Sequence, residues 1–236
     1  MNPYYNYQTQ ARGLISPEDV VKLCDSMSPV WMRLMTGWLP ENKNSAIYEV
    51  GCGPGAFLLF LKRLGYTNVC GSDLSQNQIN LAVANGLNAK VADSILELES
   101  FAPETFDCLV GIDFIEHISK DVAMKFLQQA SRVLKNNGIL ILRMPNGDSP
   151  FVGRNLFNDI THQWAYTTVA IQSLLFVSGF SKASFADEAE ASVSCCRCVK
   201  IPLMKIAQCV FKFLTRAATR EQIQYLSPSI FVFARK

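Results

Sequence analysis

The sequence has little net charge: 22 Lys and Arg stand against 20 Asp and Glu, leaving +2 in 236 residues. The basic residues are scattered until the C-terminal third, which argues against a nucleic-acid partner. No window reaches the run of about 18 uninterrupted apolar residues that a membrane-spanning helix needs. The opening MNPYYNYQTQARG lacks both a basic region and an apolar stretch, so no secretory signal is expected. Without a signal, the eight cysteines read as reduced thiols and the cytoplasm as the compartment. Cys52, Cys70 and Cys108 sit in apolar contexts that suit small core residues. Cys195 and Cys198 have C-x-x-C spacing and Cys209 follows, but no second matched pair or nearby histidine completes a zinc set. No metal is therefore expected. Internal repeats and low-complexity linkers are also missing, while 49% hydrophobic residues suffice for a sizeable core.

Strand-like and helix-like segments alternate along the chain. Ala46 to Val50 is an apolar run ending at glycines, and Phe57 to Leu64 repeats with helical spacing. Asn68 to Asp73 reads as a second strand, with Ser75 as the N-cap of a helix through Ala84. Asn88 to Asp93 and Phe106 to Asp113 are the next two strands. Ser119 or Asp121 opens an amphipathic helix to Leu134, Asn137-Gly138 breaks it, and Ile139 to Met144 is a fifth strand. Such alternation predicts right-handed βαβ units and a mostly parallel sheet. Ser16 to Glu18 starts a helical lead-in. After Pro145, residues 151–166 read as irregular, Thr168 opens a helix to Gly179, Phe185 lies in a sixth strand, and Ser229 to Ala234 forms a buried final strand.

The first turn, EVGCGPGAF, poses the ligand question. Gly51, Gly53 and Ala56 fit the dinucleotide pattern G-x-G-x-x-G/A, and a helix N-terminus suits a pyrophosphate. Glu49, two residues before the first glycine, would face that dianion. A ligand with positive groups and no phosphate fits better, and S-adenosylmethionine (SAM) carries an ammonium and a sulfonium. Asp73, Asp93 and Asp113 end the next three strands. Asp73 can accept the ribose hydroxyls of either cofactor, so it does not separate SAM from NAD. Four acids at successive strand ends suit the cationic nucleoside, which disfavours an NAD-dependent oxidoreductase.

EVGCGPG, GSDLS, VADS and FDCLVGIDFIEHIS resemble, in order and spacing, the motifs of class I SAM-dependent methyltransferases over roughly residues 45–145. The resemblance implies an α/β, Rossmann-like, seven-stranded, mostly parallel sheet with helices on both faces and an insertion before the last strand. It makes residues 1–236 one methyltransferase domain: a helical cover over 1–44, a SAM-binding core over 45–145, and acceptor-side segments at 146–180 and 188–228. It places Glu49, Gly51, Cys52, Gly53 and Gly55 around the methionine part of SAM, Asp73 and Leu74 at the ribose, and Asp93 and Ser94 at the adenine. Asp113 and Phe114, with the segment to His117, would line the methyl-donor side. Three plainer readings stand beside these: Gly55 as a packing glycine, Asp93 as a cap, and Glu116 as a solvated acid at a helix start.

The acceptor is less legible. Met144 to Asn146, Asp159 to His162 and the helix to Phe180 resemble a subset of bacterial methyltransferases associated with surface polysaccharide, lipopolysaccharide and secondary metabolites. A sugar oxygen of a cell-envelope glycan is the expected acceptor, with a small metabolite, quinone or carboxylate as the alternative. A non-catalytic SAM-binding subunit is the rival from another class. An alcohol acceptor benefits from a base, and His162 oriented by Asp159 is the first candidate, with His117 the second. A structural histidine bound to a loop carbonyl is the competing reading for His162, and pocket shaping is that for His117. Tyr166, Arg154 and Asn146 are candidate acceptor contacts. Finally, residues 199–216 place Leu203, Ile206, Ala207, Val210, Phe211 and Leu214 on one helical face, with Lys200, Lys205, Lys212 and Arg216 around it. That face suits peripheral contact with an anionic membrane or packing on the domain or a dimer partner.

Overall fold

A computed structural model describes residues 13, 15–188, 197–220 and 223–236. The first 12 residues, on which the absence of a signal was read, lie outside them, as do Cys195 and Cys196. The chain runs α1 (Pro17–Met35), β1 (Ile47–Val50), α2 (Ala56–Arg63), β2 (Val69–Asp73), α3 (Gln76–Ala84), β3 (Ala89–Val91), α4 (Ser94–Ser100) and β4 (Phe106–Ile112). A 3-10 turn (Ile115–His117) leads to α5 (Lys120–Val133), β5 (Leu134–Pro145), α6 (Val152–Phe157), α7 (Thr168–Val177), β6 (Lys182–Asp187), α8 (Arg197–Thr219) and β7 (Ser229–Arg235).

The strands form a seven-stranded sheet in the order β3-β2-β1-β4-β5-β7-β6. The first five are parallel, and β7 runs antiparallel between β5 and β6. This is the mostly parallel sheet that the alternation predicts. Central strands covered on both faces must be apolar at every position, whereas half-exposed strands alternate. β5 and β7 show how one run serves two cores. Leu140, Leu142, Met144, Ile230 and Val232 pack on α4, α5 and α7. Their neighbours Ile139, Ile141, Phe231 and Phe233 face α1, α2 and α3. Each such large side chain contributes about 1.5–3 kcal/mol when fully buried.

Local signals set the helix ends. Ser16 and Asp19 form a reciprocal capping box at α1, whose Trp31 lies edge-on to Phe57 of α2 at 5.1 Å. Ser75, Ser119 and Thr167 accept backbone N–H groups at the starts of α3, α5 and α7. Three details depart from the sequence reading. α5 stops at Val133, and Asn137-Gly138 falls inside β5, where Asn137 takes φ 62°. Thus Leu134 ends no helix and begins the strand instead. Residues 152–157, read as irregular, form a helical turn and a half.

The helix after β1 covers one face and the helix after β4 covers the other. Because β1 and β4 are neighbours, their C-terminal ends open a crevice between the two helices, the usual ligand position in an open α/β sheet.

Candidate active site

That crevice has a volume of about 720 Å³ and is lined by the ends of β1, β2 and β4, the start of α4 and the loop after α6. It is large enough for a nucleoside with an amino-acid tail and part of an acceptor.

The turn after β1 is tight because residues 51, 53 and 55 all have positive φ, 61°, 52° and 83°. A Cβ on Gly51 would come within 2.6 Å of the Phe114 ring, and one on Gly55 within 2.5 Å of Leu87. Gly51, Cys52 and Gly53 line the crevice, as expected of them. Gly55 does not; it lets α2 pass α3, so the packing reading describes it.

Glu49 is 2% exposed, and its Oε2 has no hydrogen-bond partner. Burial, and then the charge of Asp73, pushes its carboxyl well above the usual carboxylate range. A buried, half-satisfied acid on a ligand-lined wall is costly alone and is relieved by a cation. Asp73 accepts from Gly53 N–H at 3.0 Å and Ser75 N–H at 2.8 Å, and burial raises its carboxyl too. It therefore shapes the glycine turn while lining the crevice beside Leu74.

Asp93 caps α4, accepting from Ile95 N–H at 2.9 Å and Leu96 N–H at 3.3 Å, all through Oδ1. The cap reading thus holds for that oxygen, although the residue borders the crevice. Ser94 also borders it, but its buried hydroxyl is engaged by Gly51 N–H at 3.1 Å and Ser72 Oγ at 2.8 Å. Asp113 takes φ 52° at the end of β4 and is ion-paired with Arg143, which also binds Glu188 at 2.8 Å. Phe114 lies next to it on the wall.

At the far end the two histidines meet edge to face, ring centroids 4.6 Å apart. His117 lines the crevice, whereas His162 and Asp159 stand behind it. The histidine that the sequence ranked first is thus the more remote. Its Nδ1 donates to Asn155 O at 2.9 Å, as the competing structural reading has it. Asp159, expected to orient His162, is within electrostatic reach of both histidines and is hydrogen-bonded by Thr161. Its Oδ1 accepts from Thr161 Oγ1 at 2.6 Å, and Thr161 Oγ1 lies 2.8 Å from His117 Nδ1. Glu116, read as a solvated acid, is 1% exposed. Asn146, a candidate acceptor contact, is fully buried, and its amide donates to Tyr225 O and Ser227 O. Tyr166 is buried as well, and Arg154 is not among the lining residues.

Arg143, Thr161 and Gln163 line the crevice without having been singled out from the sequence. Arg143 has a visible signal, a lone cation in the apolar strand ILILRMP. Thr161 and Gln163 flank His162 and carry none.

An apolar crevice wall, a buried acid before a glycine turn and this strand order define the class I SAM-dependent methyltransferase fold. Residues 48–142 match the family model described as a methyltransferase domain. An uncharacterized protein of Methanocaldococcus jannaschii is 33% identical over 120 residues, 50% of this chain and 49% of that protein. The ubiquinone biosynthesis O-methyltransferase of Pelagibacter ubique is 28% identical over 110 residues, 44% of this chain and 43% of that protein. The chain thus spans about half or less of the curated relatives it matches. Over 100% of both chains, the fold follows that of a SAM-dependent methyltransferase from Archaeoglobus fulgidus, with TM-score 0.71 at 19% identity. SAM is the cofactor that this domain and fold define, and the orphaned Glu49 oxygen fits its ammonium. Among the described residues lining the crevice, Arg143 is the one lysine or arginine that could meet a pyrophosphate, and it is already held by two carboxylates.

Proposed function

We propose that the chain catalyses methyl transfer from SAM to an acceptor oxygen. The observation that carries this reading is the crevice itself: an unpartnered buried Glu49 at one end and the His117 cluster at the other. When bound, SAM supplies an electrophilic methyl group whose carbon–sulfur bond breaks as the carbon–oxygen bond forms, the electron pair staying on sulfur.

The chain's residues do the rest. Glu49 anchors the ammonium, Asp73 accepts ribose hydroxyls, and the segment Asp93-Ser94 meets the adenine edge. Asp113, fixed by Arg143, and Phe114 close the wall towards the methyl group. His117 faces the acceptor hydroxyl, whose proton leaves to solvent as the carbon–oxygen bond forms. Positioning supplies most of the rate, since the sulfonium is already a good leaving group.

The acceptor is read as the hydroxyl of an amphiphile, a lipid-linked sugar or a quinol. Ile160 on the crevice wall is 65% exposed, and Phe151, Phe157 and Trp164 are exposed nearby in sequence. Phe151 meets Phe211 of α8 at 5.9 Å, and along α8 Ile206, Val210, Phe213 and Leu214 are exposed. Lys212 and Arg216 flank that stripe; the side chains of Lys200, Leu203, Lys205 and Ala207 lie outside the described ones. An anionic bilayer surface suits this charge and apolarity. Among the described residues no helix is long and apolar enough to cross a membrane. The test of the activity is transfer of labelled methyl from SAM to lipid extracts, lipid-linked sugars and quinols. Labelled product in one of these fractions, lost on His117→Ala, is expected; SAM binding with no product from any fraction would favour a non-catalytic subunit.

A further inference from the structure

We infer that Glu116, His117 and His162 form a binding site for one first-row divalent cation, of the zinc or iron(II) type, at the acceptor end of the crevice. The inference rests on the methyl-transfer reading only for the ion's role, not for its presence.

The three side chains come from two distant segments. Glu116 and His117 lie on the 3-10 turn after β4, and His162 is carried in by the loop after α6. One ligand atom from each falls within 4.8 Å of the other two. His162 Nε2 stands 4.0 Å from Glu116 Oε1. That gap is too wide for a hydrogen bond, which needs about 2.7–3.2 Å. Metal–nitrogen and metal–oxygen bonds of about 2.0–2.2 Å each reach across it. A tetrahedral arrangement would draw the donors in to roughly 3.4 Å, within the reach of small side-chain rotations.

The protonation pattern supports the assignment. Asn155 O can only accept, so His162 Nδ1 carries the hydrogen, and the neutral ring, the form that ligates a metal, has its lone pair on Nε2. The His162 side chain is 9% exposed, and Nε2 is buried without a hydrogen-bond partner. Thr161 Oγ1 donates to Asp159, so it accepts from His117 Nδ1–H, which leaves the lone pair of His117 on Nε2 as well. Each imidazole is thus held through one nitrogen by an acceptor behind it, the usual way a protein orients a metal-binding histidine. A lone pair aimed past a buried carboxylate calls for a positive charge between them. Two imidazoles and one carboxylate are the donors that borderline divalent ions prefer, and three protein ligands leave a position open. Because His117 borders the crevice, that position faces the acceptor. The ion would bind the acceptor hydroxyl and lower its pKa, the proton leaving to solvent. No metal was expected from the sequence, because Glu116 and His117 lie far along the chain from His162 and no spacing motif joins the three.

The test uses the full chain, stripped with a chelator and titrated with cobalt(II), whose visible spectrum reports coordination number. One cobalt per chain with the absorption of a four- or five-coordinate site is expected. His162→Ala and Glu116→Gln should each weaken binding by at least about tenfold, with circular dichroism and SAM affinity unchanged. Wild-type protein that binds SAM but no cobalt, or variants that bind cobalt as well as wild type, would overturn the metal site and leave methyl transfer standing. Cobalt binding without SAM binding would do the reverse.

Discussion

Thr161 Oγ1 lies 2.8 Å from His117 Nδ1 and ties the loop after α6 to the 3-10 turn that follows β4, 44 residues earlier. The same hydroxyl donates to Asp159 at 2.6 Å, so a short chain of hydrogen bonds sets which nitrogen of His117 faces the crevice. Replacing Thr161 by Val removes that anchor without opening a large cavity. Turnover should fall roughly tenfold while the KM for SAM stays unchanged, and Thr161→Ser should restore it. Steady-state kinetics separate this from a merely structural role, which would move both constants or neither.

That relationship also shows what the sequence conceals. The order of strands, the glycine turn and the acids at strand ends are local patterns, and they were legible because βαβ units repeat the same chemistry at the same spacing. The pairing of His117 with Thr161 spans 44 residues, and His162 reaches back 7 residues to Asn155 in α6; no periodicity encodes either contact. Glu116 shows the same limit. At a turn after a strand an acid reads as solvated, yet the loop over it leaves the side chain 1% exposed. Asn137-Gly138 misled for a different reason: the pair is a turn signal that β5 absorbs through one left-handed residue.

Glu49→Gln should have opposite effects on stability and binding. The buried carboxyl is held above its usual range by burial and by Asp73. Its unfolded form therefore releases the proton at lower pH than its folded form does. Stability contributed at low pH is lost as pH rises from the ordinary carboxylate value towards the raised one. Glutamine removes this loss, so the ligand-free variant should melt higher at neutral pH. It also removes the charge that meets the ammonium, and SAM affinity should drop by about 10–100-fold. Thermal melts and calorimetry on the same samples check both signs.

The same carboxyl predicts a pH dependence for SAM binding. The ammonium favours ionised Glu49, so binding should release a proton wherever the free protein still holds it. Affinity should fall as pH is lowered through the raised value, and calorimetry in buffers of different ionisation enthalpy should register the release. A pH-independent affinity would mean that Glu49 does not meet the ammonium.

Gly55→Ala tests the division of labour within the turn. Its φ of 83° and the nearness of Leu87 should cost about 1–3 kcal/mol of stability. Because Gly55 does not line the crevice, the folded fraction should bind SAM normally. Denaturant melts and calorimetry on the refolded variant give the two readings.

Vesicle flotation tests the amphiphile reading. The chain should float with vesicles containing phosphatidylserine, less so at high salt, and Phe213→Asp should abolish flotation. Equal recovery with neutral vesicles would remove the anionic surface from the account.

The central claim is tested most directly by calorimetric titration of the purified chain with SAM and, separately, with NAD. One SAM per chain is expected, with binding weakened in both Glu49→Gln and Asp73→Asn and no heat from NAD. Saturable binding of NAD with none of SAM would contradict it.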